Sequence, residues 1–509
     1  MTTDGPDPAA GSLPAAVGLT PQQQARHGRL ALLRAAGMDP YPVQVPRTTS
    51  VKQAHEAARA DQTQTVSVVG RVVRLCDPDS ALPDGGVPDG GVLAVLREGA
   101  AQVQALLDGT VDPAALDLFR RTVDPGDQVS VTGTTGRSPS GEPSLLVTAW
   151  TMAAKALTPP DEPADPATRA RPRHVELALD ADTADRVRAR SAAVASVRTT
   201  LAWHSFTEVE TPVLHQVPAA GTSPLRTRVD GYDQDLYLRS SPGPYLRRLV
   251  VGGLGKVFEV GRCFHDPPDA GPDPERGREP ELTYLDACQA HGDCTTLRRL
   301  AQEIVRSAAA AVHGAAVAQR PDGRSADSGR SGTTVRLDGP DWPVVTVHDA
   351  VSQAVDAPLT VGTPLDEVRA VCRRTAVAYQ DDEPAGVLVA RLYDRLVAPA
   401  TDTPVFYADF PVETAPSARA HRDDPRLAER WALVMFGTTV ATACSGLADP
   451  VEQRRRLASA DPAALDADLL TALEFGLPPT GSLSLGIDQM VATLLGTTVR
   501  DVLTFPFVR

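Results

Sequence analysis

The stretch DLYLRSSPGPYLRRLVVGGLGKVFEVGRCFHDPPDAGPDPERGREPELTYLD, residues 235–286, decides the fold of this chain. Its first five residues have the alternation of a half-buried strand. PYLRRLVVGG then places Leu246, Leu249 and Val250 on one helical face and ends at two glycines. KVFEVGRCF and ELTYLD predict two more strands, antiparallel to each other across a loop rich in proline, aspartate and glycine. The stretch therefore predicts the order strand, helix, strand, loop and strand.

The composition is that of a globular protein with room for two or three domains, since 42% of its 509 residues are hydrophobic. The formal net charge of -14 argues against a generally basic nucleic-acid binder. No run approaches about 18 uninterrupted apolar residues, and the N-terminus lacks the basic and apolar regions of a signal peptide. We therefore expect a cytoplasmic protein with no membrane partner. The six cysteines are scattered and form no CxxC pair, so neither a zinc site nor a disulfide framework is expected.

The N-terminal part changes character several times along the chain. Residues 1–20 are expected to be a disordered leader, and short helices are expected within 21–42 and over 51–58. From residue 66 to 158 the pattern turns to short strands, turns and one helix, which suits a small five-stranded barrel. The proline-rich residues 158–173 predict a linker.

The pattern YLR-x-x-P-x-x-YL-x-RLVVGG-x-x-KVFE resembles motif 2 of the class II lysyl-tRNA synthetases, here residues 235–286. A long helix with a strand and a proline, residues 184–215, resembles motif 1 of that family. The segment GLPPTGSLSLGIDQM lies in residues 474–509, which resemble motif 3. The resemblance covers about residues 21–509.

This resemblance implies an α+β protein, with an N-terminal OB-fold β-barrel followed by a class II synthetase catalytic domain, an antiparallel sheet flanked by helices. The barrel, with its N-terminal helix, would be an anticodon-binding-like domain over residues 21–157. The catalytic domain would cover 174–509. The resemblance also implies a homodimer formed through motif 1, residues 184–215.

The predicted barrel is poor in the side chains that bind single-stranded RNA. Stacking of bases needs aromatic platforms. Between Val66 and Leu157 the only aromatic residues are Phe119 and Trp150. We therefore expect a structural barrel or a partner surface in preference to an anticodon reader, and tRNA remains an open partner.

Adenylate formation, the family's reaction with ATP, needs fixed cations at the phosphates and Mg²⁺ held by carboxylates. The resemblance places the two phosphate-binding arginines of the family at His265 and Gln489. The glutamate that contacts ATP becomes Pro267, and the two metal-binding glutamates become Ala432 and Thr439. ATP and Mg²⁺ are thus implied by the family, while their ligands are replaced in this sequence.

The amino-acid subsite changes in the same way. Selection of lysine needs carboxylates around its ammonium group, and the family positions that contact the substrate hold Gly243, Thr442 and Gly446 here. A fourth position, Asp286, alone keeps its charge, and we favour a structural role for it.

Three cations persist near the phosphate positions, namely Arg239, Lys256 and Arg262, and they are expected to make structural ion pairs. His265 leaves two alternatives, a protonated cation near a phosphate or a neutral loop histidine that faces solvent. The second is favoured because histidine lacks the permanent charge and the bidentate fork of arginine.

Three functions remain open from the sequence. The favoured hypothesis is a lysyl-tRNA-synthetase-like pseudoenzyme with a binding or regulatory role. The alternative is an active class II ligase that activates a different amino or carboxylic acid, for example in secondary metabolism. The third is a working lysyl-tRNA synthetase, which the missing ligands disfavour because one lost transition-state cation costs on the order of 3 kcal/mol.

Overall fold

A computed structural model describes residues 18–76, 91–160, 172–218, 224–266, 279–320, 333–460 and 465–507. Most of the predicted leader and of the predicted linker lies outside these residues, and so does Pro267 with the loop that follows it. The chain divides into two compact units, Met1–Asp185 and Arg186–Arg509.

The first unit is built on a closed barrel of five strands in the order β1-β2-β3-β5-β4. Its strands are β1 (Thr65–Cys76), β2 (Val92–Glu98), β3 (Ala101–Leu107), β4 (Gln128–Arg137) and β5 (Pro143–Ala154). Its helices are α1 (Pro21–Ala35), α2 (Val51–Arg59), α3 (Pro113–Thr122) and α4 (Arg173–Leu179). β3 and β5 run parallel, and the other neighbours are antiparallel. The predicted five-stranded barrel is confirmed, and its topology is consistent with an OB-fold.

The two aromatic side chains of the barrel pack inside it. Phe119 of α3 and Trp150 of β5 are buried with their rings edge to face at 5.0 Å. The indole N–H of Trp150 donates to the carbonyl of Ala115 at 2.8 Å. Both rings therefore contribute to the core of the unit, and neither is presented to a base.

A buried ionic cluster fixes the end of the barrel. The ammonium of Lys155 lies 2.5 Å from an Asp124 oxygen and 2.8 Å from an Asp127 oxygen, and its side chain is fully buried. The same ammonium donates to the carbonyl of Thr122 at 2.7 Å. Because three acceptors surround the cation, the cost of burying it is offset by well-placed partners.

The second unit contains the two longest helices and most of the strands. Its strands are β6 (Thr207–Glu208), β7 (Leu214–His215), β8 (Arg226–Val229), β9 (Gln234–Leu238), β10 (Lys256–Phe264), β11 (Glu281–Ala290), β12 (Val317–Arg320), β13 (Thr333–Arg336), β14 (Val344–Thr346), β15 (Val405–Pro411), β16 (Leu427–Met435), β17 (Thr438–Ser445) and β18 (Thr480–Gly486). Its helices are α5 (Ala181–Trp203, which begins in the first unit), α6 (Gly243–Val251), α7 (Cys294–His313), α8 (Val347–Val355), α9 (Leu365–Arg374), α10 (Ala385–Leu392), α11 (Pro450–Ala460), α12 (Ala467–Gly476), α13 (Ile487–Leu495) and α14 (Val499–Val502).

An eight-stranded sheet in the order β14-β15-β16-β17-β18-β11-β10-β6 dominates this unit. Its six central strands are antiparallel, and the two outermost pairings, β14 with β15 and β10 with β6, are parallel. The organising stretch folds as its pattern predicts, with β9, then α6, then β10 and β11 paired from Lys256 with Gln289 to Phe264 with Glu281. The mixed α/β fold is therefore confirmed.

One face of the sheet is the core of the unit. Alternate residues of the central strands lie in register across four strands and are 0–2% exposed, and we call them the core row: Leu285, Leu485, Ala441 and Leu433. They pack with α7, whose buried face includes Leu297 and Ile304. Because side chains alternate along a strand, the neighbouring residues point to the opposite face.

The strand predicted after the motif 1 helix, FTEVETPVL (residues 206–214), forms only near its two ends. Only Thr207–Glu208 pairs with β10, and Leu214–His215 pairs with β9 in a separate three-stranded sheet. Between them the backbone N–H and hydroxyl of Thr211 donate to Glu259, at 3.1 and 2.7 Å. Side-chain bonding and Pro212 therefore replace the ladder in the middle of this segment.

The amphipathic helix of the motif 1 region forms as predicted, as α5. Val197 and Leu201 are fully buried, whereas Val187 and Val194 are partly exposed. None of the helices in the described part of the chain is both long enough and apolar enough to cross a membrane.

Candidate functional site

The face of the sheet opposite the core row carries most of the positions singled out in the sequence. Four residues lie in register across β11, β18, β17 and β16, and we call them the site row: Asp286, Ser484, Thr442 and Ala432. Each is the direct chain neighbour of a core-row residue. The period of two that buries the core therefore also aligns these side chains on the other face.

Hydrophobic clusters cover this face on both sides of the site row. On the β15–β16 side, Ala432 packs in an apolar cluster with Val434 and Tyr407 beneath α8, α9 and α10. On the β10 side, Cys288 packs with Leu246 of α6 and residues of α12. The polar part of the face, at Thr442, Ser484 and Asp286, lies between these two clusters.

Asp286 is the most strongly perturbed group of the site. It is 5% exposed, and its Oδ1 accepts a hydrogen bond from the Ser241 hydroxyl at 3.1 Å. Oδ2 is also buried and has no hydrogen-bond partner among the described residues. Burial raises the pKa of Asp286 to about 7, against the opposing effects of the Ser241 and Ser484 hydroxyls and of Arg239. Burial therefore favours the protonated form of this carboxyl, in contrast to an ordinary aspartate.

Gly243 is connected to Asp286 through one hydroxyl. The Gly243 N–H donates to Ser241 Oγ at 3.0 Å, and Ser241 in turn donates to Asp286. A Cβ at Gly243 would lie 3.1 Å from Ser241 Oγ. Ser241 thus stabilises both the start of α6 and the Asp286 carboxyl.

Gly446 lies at the end of β17, in close contact with the backbone. Its N–H donates to the Thr480 carbonyl at 2.7 Å, and a Cβ here would stand 3.1 Å from that same oxygen. A side chain at this position would require the backbone to shift. Thr442, in contrast, is only partly buried within the site row.

The two phosphate positions converge on one aromatic ring. Gln489, at the start of α13, donates from Nε2 to the Tyr284 hydroxyl at 3.3 Å, while its Oε1 is buried without a partner among the described residues. The His265 ring stands edge-on to Tyr284 with centroids 6.1 Å apart. Tyr284 is two residues from Asp286 along β11, so His265, Gln489 and Asp286 share one region of the sheet.

The metal positions of the resemblance contain no carboxylate. Ala432 is 3% exposed within its apolar cluster, and Thr439 is exposed at the other end of β17, opposite Val434. Mg²⁺ is bound through carboxylate oxygens and water. No group of three or more histidine, cysteine, aspartate or glutamate side chains that could hold a metal ion occurs among the described residues. The residues present therefore do not fit the family's metal.

The three persisting cations are engaged in structural contacts. Arg239 lies 2.6 Å from Glu259 in a buried ion pair, and Arg262 lies 3.2 Å from Glu281 in an exposed one. Lys256 was expected to be ion-paired, but its ammonium donates to the His204 carbonyl at 2.9 Å and lies 5.5 Å from the Phe206 ring. That expectation was wrong for Lys256, because a carbonyl and an aromatic face take the place of a carboxylate.

The buried ion pair leaves no space for a side chain at residue 261, which is glycine. A Cβ on Gly261 would come within 2.2 Å of Arg239 Nη2. Arg239 also donates from Nε to the Arg262 carbonyl at 2.9 Å. The guanidinium is therefore held between β10 and its partner carboxylate, and its charge is used within the fold.

Sequence reasoning missed Ser241 and Tyr284, which contact the predicted positions directly. Tyr284 precedes Asp286 by two residues, so strand alternation alone places both side chains on one face. Ser241 has no such signal, because it lies outside a strand and reaches Asp286 only through the folded contact between α6 and β11.

Comparison with known proteins gives a consistent result. The family model for tRNA synthetases class II (D, K and N) matches residues 165–509, more than half of the chain. Similar full sequences are lysylphosphatidylglycerol biosynthesis bifunctional proteins LysX. The one from Nocardia farcinica is 42% identical over 504 residues, which cover 96% of this chain and 42% of that protein.

Two further relatives carry the same name. The protein from Mycolicibacterium vanbaalenii is 41% identical over 507 residues, covering 96% of this chain and 44% of its own length. The protein from Mycobacterium tuberculosis is 39% identical over 510 residues, covering 96% and 42%. The chain therefore spans less than half the length of the relatives that it matches.

Proposed function

This chain belongs to the tRNA synthetases of class II (D, K and N), and from that premise we propose that it is a lysyl-tRNA-synthetase-like pseudoenzyme with a binding or regulatory role. One observation carries the proposal. Within the site row Asp286 is the one carboxyl, and neutral side chains stand at the other three positions. Glu259, which pairs with Asp286 on β10, is already held by Arg239 in a buried ion pair.

The energetics support loss of turnover. The family's two phosphate cations are replaced by His265 and Gln489, and Gln489 is held by Tyr284. Loss of one preorganised cation costs on the order of 3 kcal/mol, or two to three decades in rate. Ala432 and Thr439 remove the metal ligands as well. Such effects do not add fully, but even partial addition abolishes ordinary lysine activation.

The names of the relatives give the proposal a setting. They are called lysylphosphatidylglycerol biosynthesis proteins, and each is more than twice as long as the matched part. We propose that this chain serves the same biosynthesis in a supporting capacity, with lysine activation supplied by an intact synthetase. ATP, Mg²⁺ and tRNA are then ligands of the family that this chain does not use for catalysis.

A second candidate is an active class II ligase that activates a different amino or carboxylic acid. Asp286 favours it, since Oδ2 is a buried acceptor without a partner among the described residues. Gly243 and Gly446 fit a substrate less cationic than lysine, because no carboxylate stands at either position. The missing phosphate and metal ligands weigh against this candidate.

Pyrophosphate exchange against a panel of amino acids separates the two candidates. We expect no exchange with lysine and none with the other acids. Exchange with one acid other than lysine would establish the ligase and overturn the pseudoenzyme. Exchange with lysine at the rate of an ordinary synthetase would contradict both.

Restoring the two phosphate arginines is a sharper test of the site. We expect the double variant His265→Arg and Gln489→Arg to remain inactive, because the metal and lysine ligands are still absent. A thermal unfolding midpoint equal to that of the wild type serves as the folding control for this variant. Robust formation of lysyl adenylate by this variant would show that the site needs only phosphate cations.

The groove along α5 supports a homodimer. Its volume is about 530 Å³, and its described lining combines three apolar residues with four polar or charged ones: Val187, Val194, Ala195, Arg190, Ser191, Arg198 and Thr504. We propose that a second copy of the chain covers this partly exposed apolar strip, as the motif 1 resemblance implies. Sedimentation should give twice the chain mass for the wild type, and Val194→Glu should shift the protein to monomer. A monomeric wild type would contradict the proposal.

A further inference from the structure

A cleft in the first unit belongs to none of the positions discussed so far. It has a volume of about 530 Å³ and lies where β1, the β2–β3 turn and the start of β4 approach α4. Its described lining is Val45, Arg47, Val69, Gly70, Arg71, Arg97, Glu98, Gly99, Gln128, Leu177 and Ala178. The volume is within the range of small-molecule sites in proteins.

The charged lining of the cleft is strongly unbalanced. Among its described lining residues are three arginines and one glutamate, which gives a formal charge of +2 in a protein whose net charge is -14. A positive concavity on an acidic protein concentrates anions against the overall field.

Most of this positive charge is not neutralised by carboxylates. Arg97 is 9% exposed, and it donates to the carbonyls of Gly99, at 2.8 Å, and of Leu179. Arg71 donates to the Gly126 carbonyl at 2.6 Å. Carbonyl oxygens orient a guanidinium without cancelling its charge, so both arginines are held in place and still cationic.

The single glutamate is already engaged. Glu98 forms an ion pair with Arg47, and its second oxygen accepts the Val51 N–H at 2.8 Å. This arrangement leaves the charges of Arg71 and Arg97 available to a ligand.

The rest of the lining is aliphatic. Val45, Val69, Leu177 and Ala178 contribute apolar surface, and no aromatic side chain is among the described lining residues. Bases of single-stranded nucleic acid bind by stacking on aromatic rings. The lining therefore suits an anion attached to a small aliphatic or polyol group better than a nucleobase.

We propose that this cleft binds a small phosphate ester, with Arg71 and Arg97 facing the phosphate and the aliphatic residues facing the attached group. Arginine is the residue best suited to phosphate, because its planar fork offers parallel donors. A free phosphate ester and the phosphoglycerol headgroup of a lipid share this chemistry.

Binding to the full chain tests the proposal with two probes. The first is glycerol 3-phosphate, followed by ³¹P line broadening and calorimetry. The second is a vesicle of phosphatidylcholine with phosphatidylglycerol, followed by co-sedimentation. We expect at least one probe to bind. Binding of the soluble probe identifies a free ester as the ligand, and binding of the vesicle alone identifies a headgroup. Absence of binding by both at millimolar concentration overturns the proposal.

Gln128→Glu is the diagnostic variant. Gln128 pairs in register with Arg71 and lines the cleft, so a carboxylate there reduces the local charge from +2 to +1. Like charges a few ångströms apart at partial burial repel by an amount that weakens affinity on the order of tenfold. Gln64→Glu is the matched control, since Gln64 is an exposed residue directly before β1 and six residues from Gly70.

The outcome of this pair decides the location of the site. A loss of affinity in Gln128→Glu alone supports the cleft, and an equal loss in both variants overturns it. Arg47→Gln provides a second variant, since that side chain is 50% exposed and its loss frees Glu98 to repel an anion. Binding of single-stranded RNA that Gln128→Glu abolishes, with no binding of either phosphate ester, would overturn the proposal in favour of a nucleic-acid site.

Discussion

The core row and the site row of the large sheet are one residue apart in the chain and have opposite chemistry. Leu285, Leu485, Ala441 and Leu433 are closely packed, whereas their neighbours Asp286, Ser484, Thr442 and Ala432 include one ionisable group. Both rows depend on the same registers. The central strands therefore pair in register at both rows, while the side chains of the site row carry the replacements on which the proposed function rests.

Under the proposed function, this difference separates the fold of the protein from the family reaction. Burial of apolar area holds the registers in place, and the core row contributes more of it than the site row, where Ala432 alone is apolar. A buried charge without a partner destabilises a fold. Replacement of charged side chains by neutral ones in the site row therefore does not weaken the sheet.

Arg239→Met should cause the largest loss of unfolding free energy. It tests a place where a charged pair on the site face supports the fold. Glu259 lies on the site face, opposite Asp286, and its ion pair with Arg239 is buried. Removal of the cation leaves a buried carboxylate and should cost about 3–5 kcal/mol of unfolding free energy. Urea denaturation measures it.

The matched control for that variant is Arg262→Met. Its ion pair with Glu281 leaves both side chains about half exposed. We expect a loss below about 1 kcal/mol, since exposed ion pairs contribute little. Equal effects of the two substitutions would show that Arg239 is not a buried structural cation.

Leu433→Ala sharpens the comparison at the core row. The Leu433 side chain is fully buried in the apolar core, with 0% of its surface exposed to solvent. The cavity and the lost transfer energy should together cost about 2–5 kcal/mol. Urea denaturation followed by tryptophan fluorescence gives the change in unfolding free energy.

Asp286→Asn tests the one ionisable group of the site row. Burial raises the pKa of Asp286 to about 7 in the folded protein, from its ordinary value of 3.8. The folded state therefore binds more protons than the unfolded state between these values. Stability that is present below pH 4 is lost as the pH rises towards 7, at about 1.4 kcal/mol for each pH unit.

The asparagine variant should lack this contribution. We expect the stability difference between the variant and the wild type to shift in favour of the variant between pH 4 and pH 7, and to be constant above that range. Thermal or urea unfolding at a series of pH values measures it. A difference that does not change with pH would show that Asp286 titrates normally.

Thr442→Ala should have the smallest effect. Thr442 of β17 pairs in register with Ala432 of β16, which is the chain neighbour of Leu433. The Thr442 side chain is only partly buried. A substitution away from the core usually changes stability by less than about 0.5 kcal/mol. A loss comparable to that of Leu433→Ala would contradict the separation of the two rows.

Much of this fold follows from local patterns in the sequence. β10 begins and ends at the residues that alternation predicts, and α6 ends before the two glycines. FTEVETPVL failed because Thr211 bonds to a side chain 48 residues further along the chain, which no local pattern encodes. Lys256 failed for the same reason, since its acceptor is a carbonyl at the end of α5.

The candidate site was predictable as a set of positions and not as a set of contacts. The resemblance located Asp286, Gln489 and Thr442. The sheet registers place Asp286 and Thr442 on one face, and Gln489 of α13 contacts Tyr284 on that face. Their roles still stand as predictions, as do the domain boundaries at 21–157 and 174–509. The bridge from Ser241 to Asp286 and the burial of Ala432 beneath α8 to α10 arise from packing between distant segments, which only the folded chain shows.

The most direct test of the central claim is calorimetric titration of the full chain with ATP and Mg²⁺, with and without lysine. We predict no binding heat in the millimolar range and no effect of lysine, because the phosphate positions hold His265 and Gln489 and the metal positions hold Ala432 and Thr439. Tight Mg²⁺-dependent binding of ATP that lysine strengthens would contradict the account and would indicate a working lysine-activating enzyme.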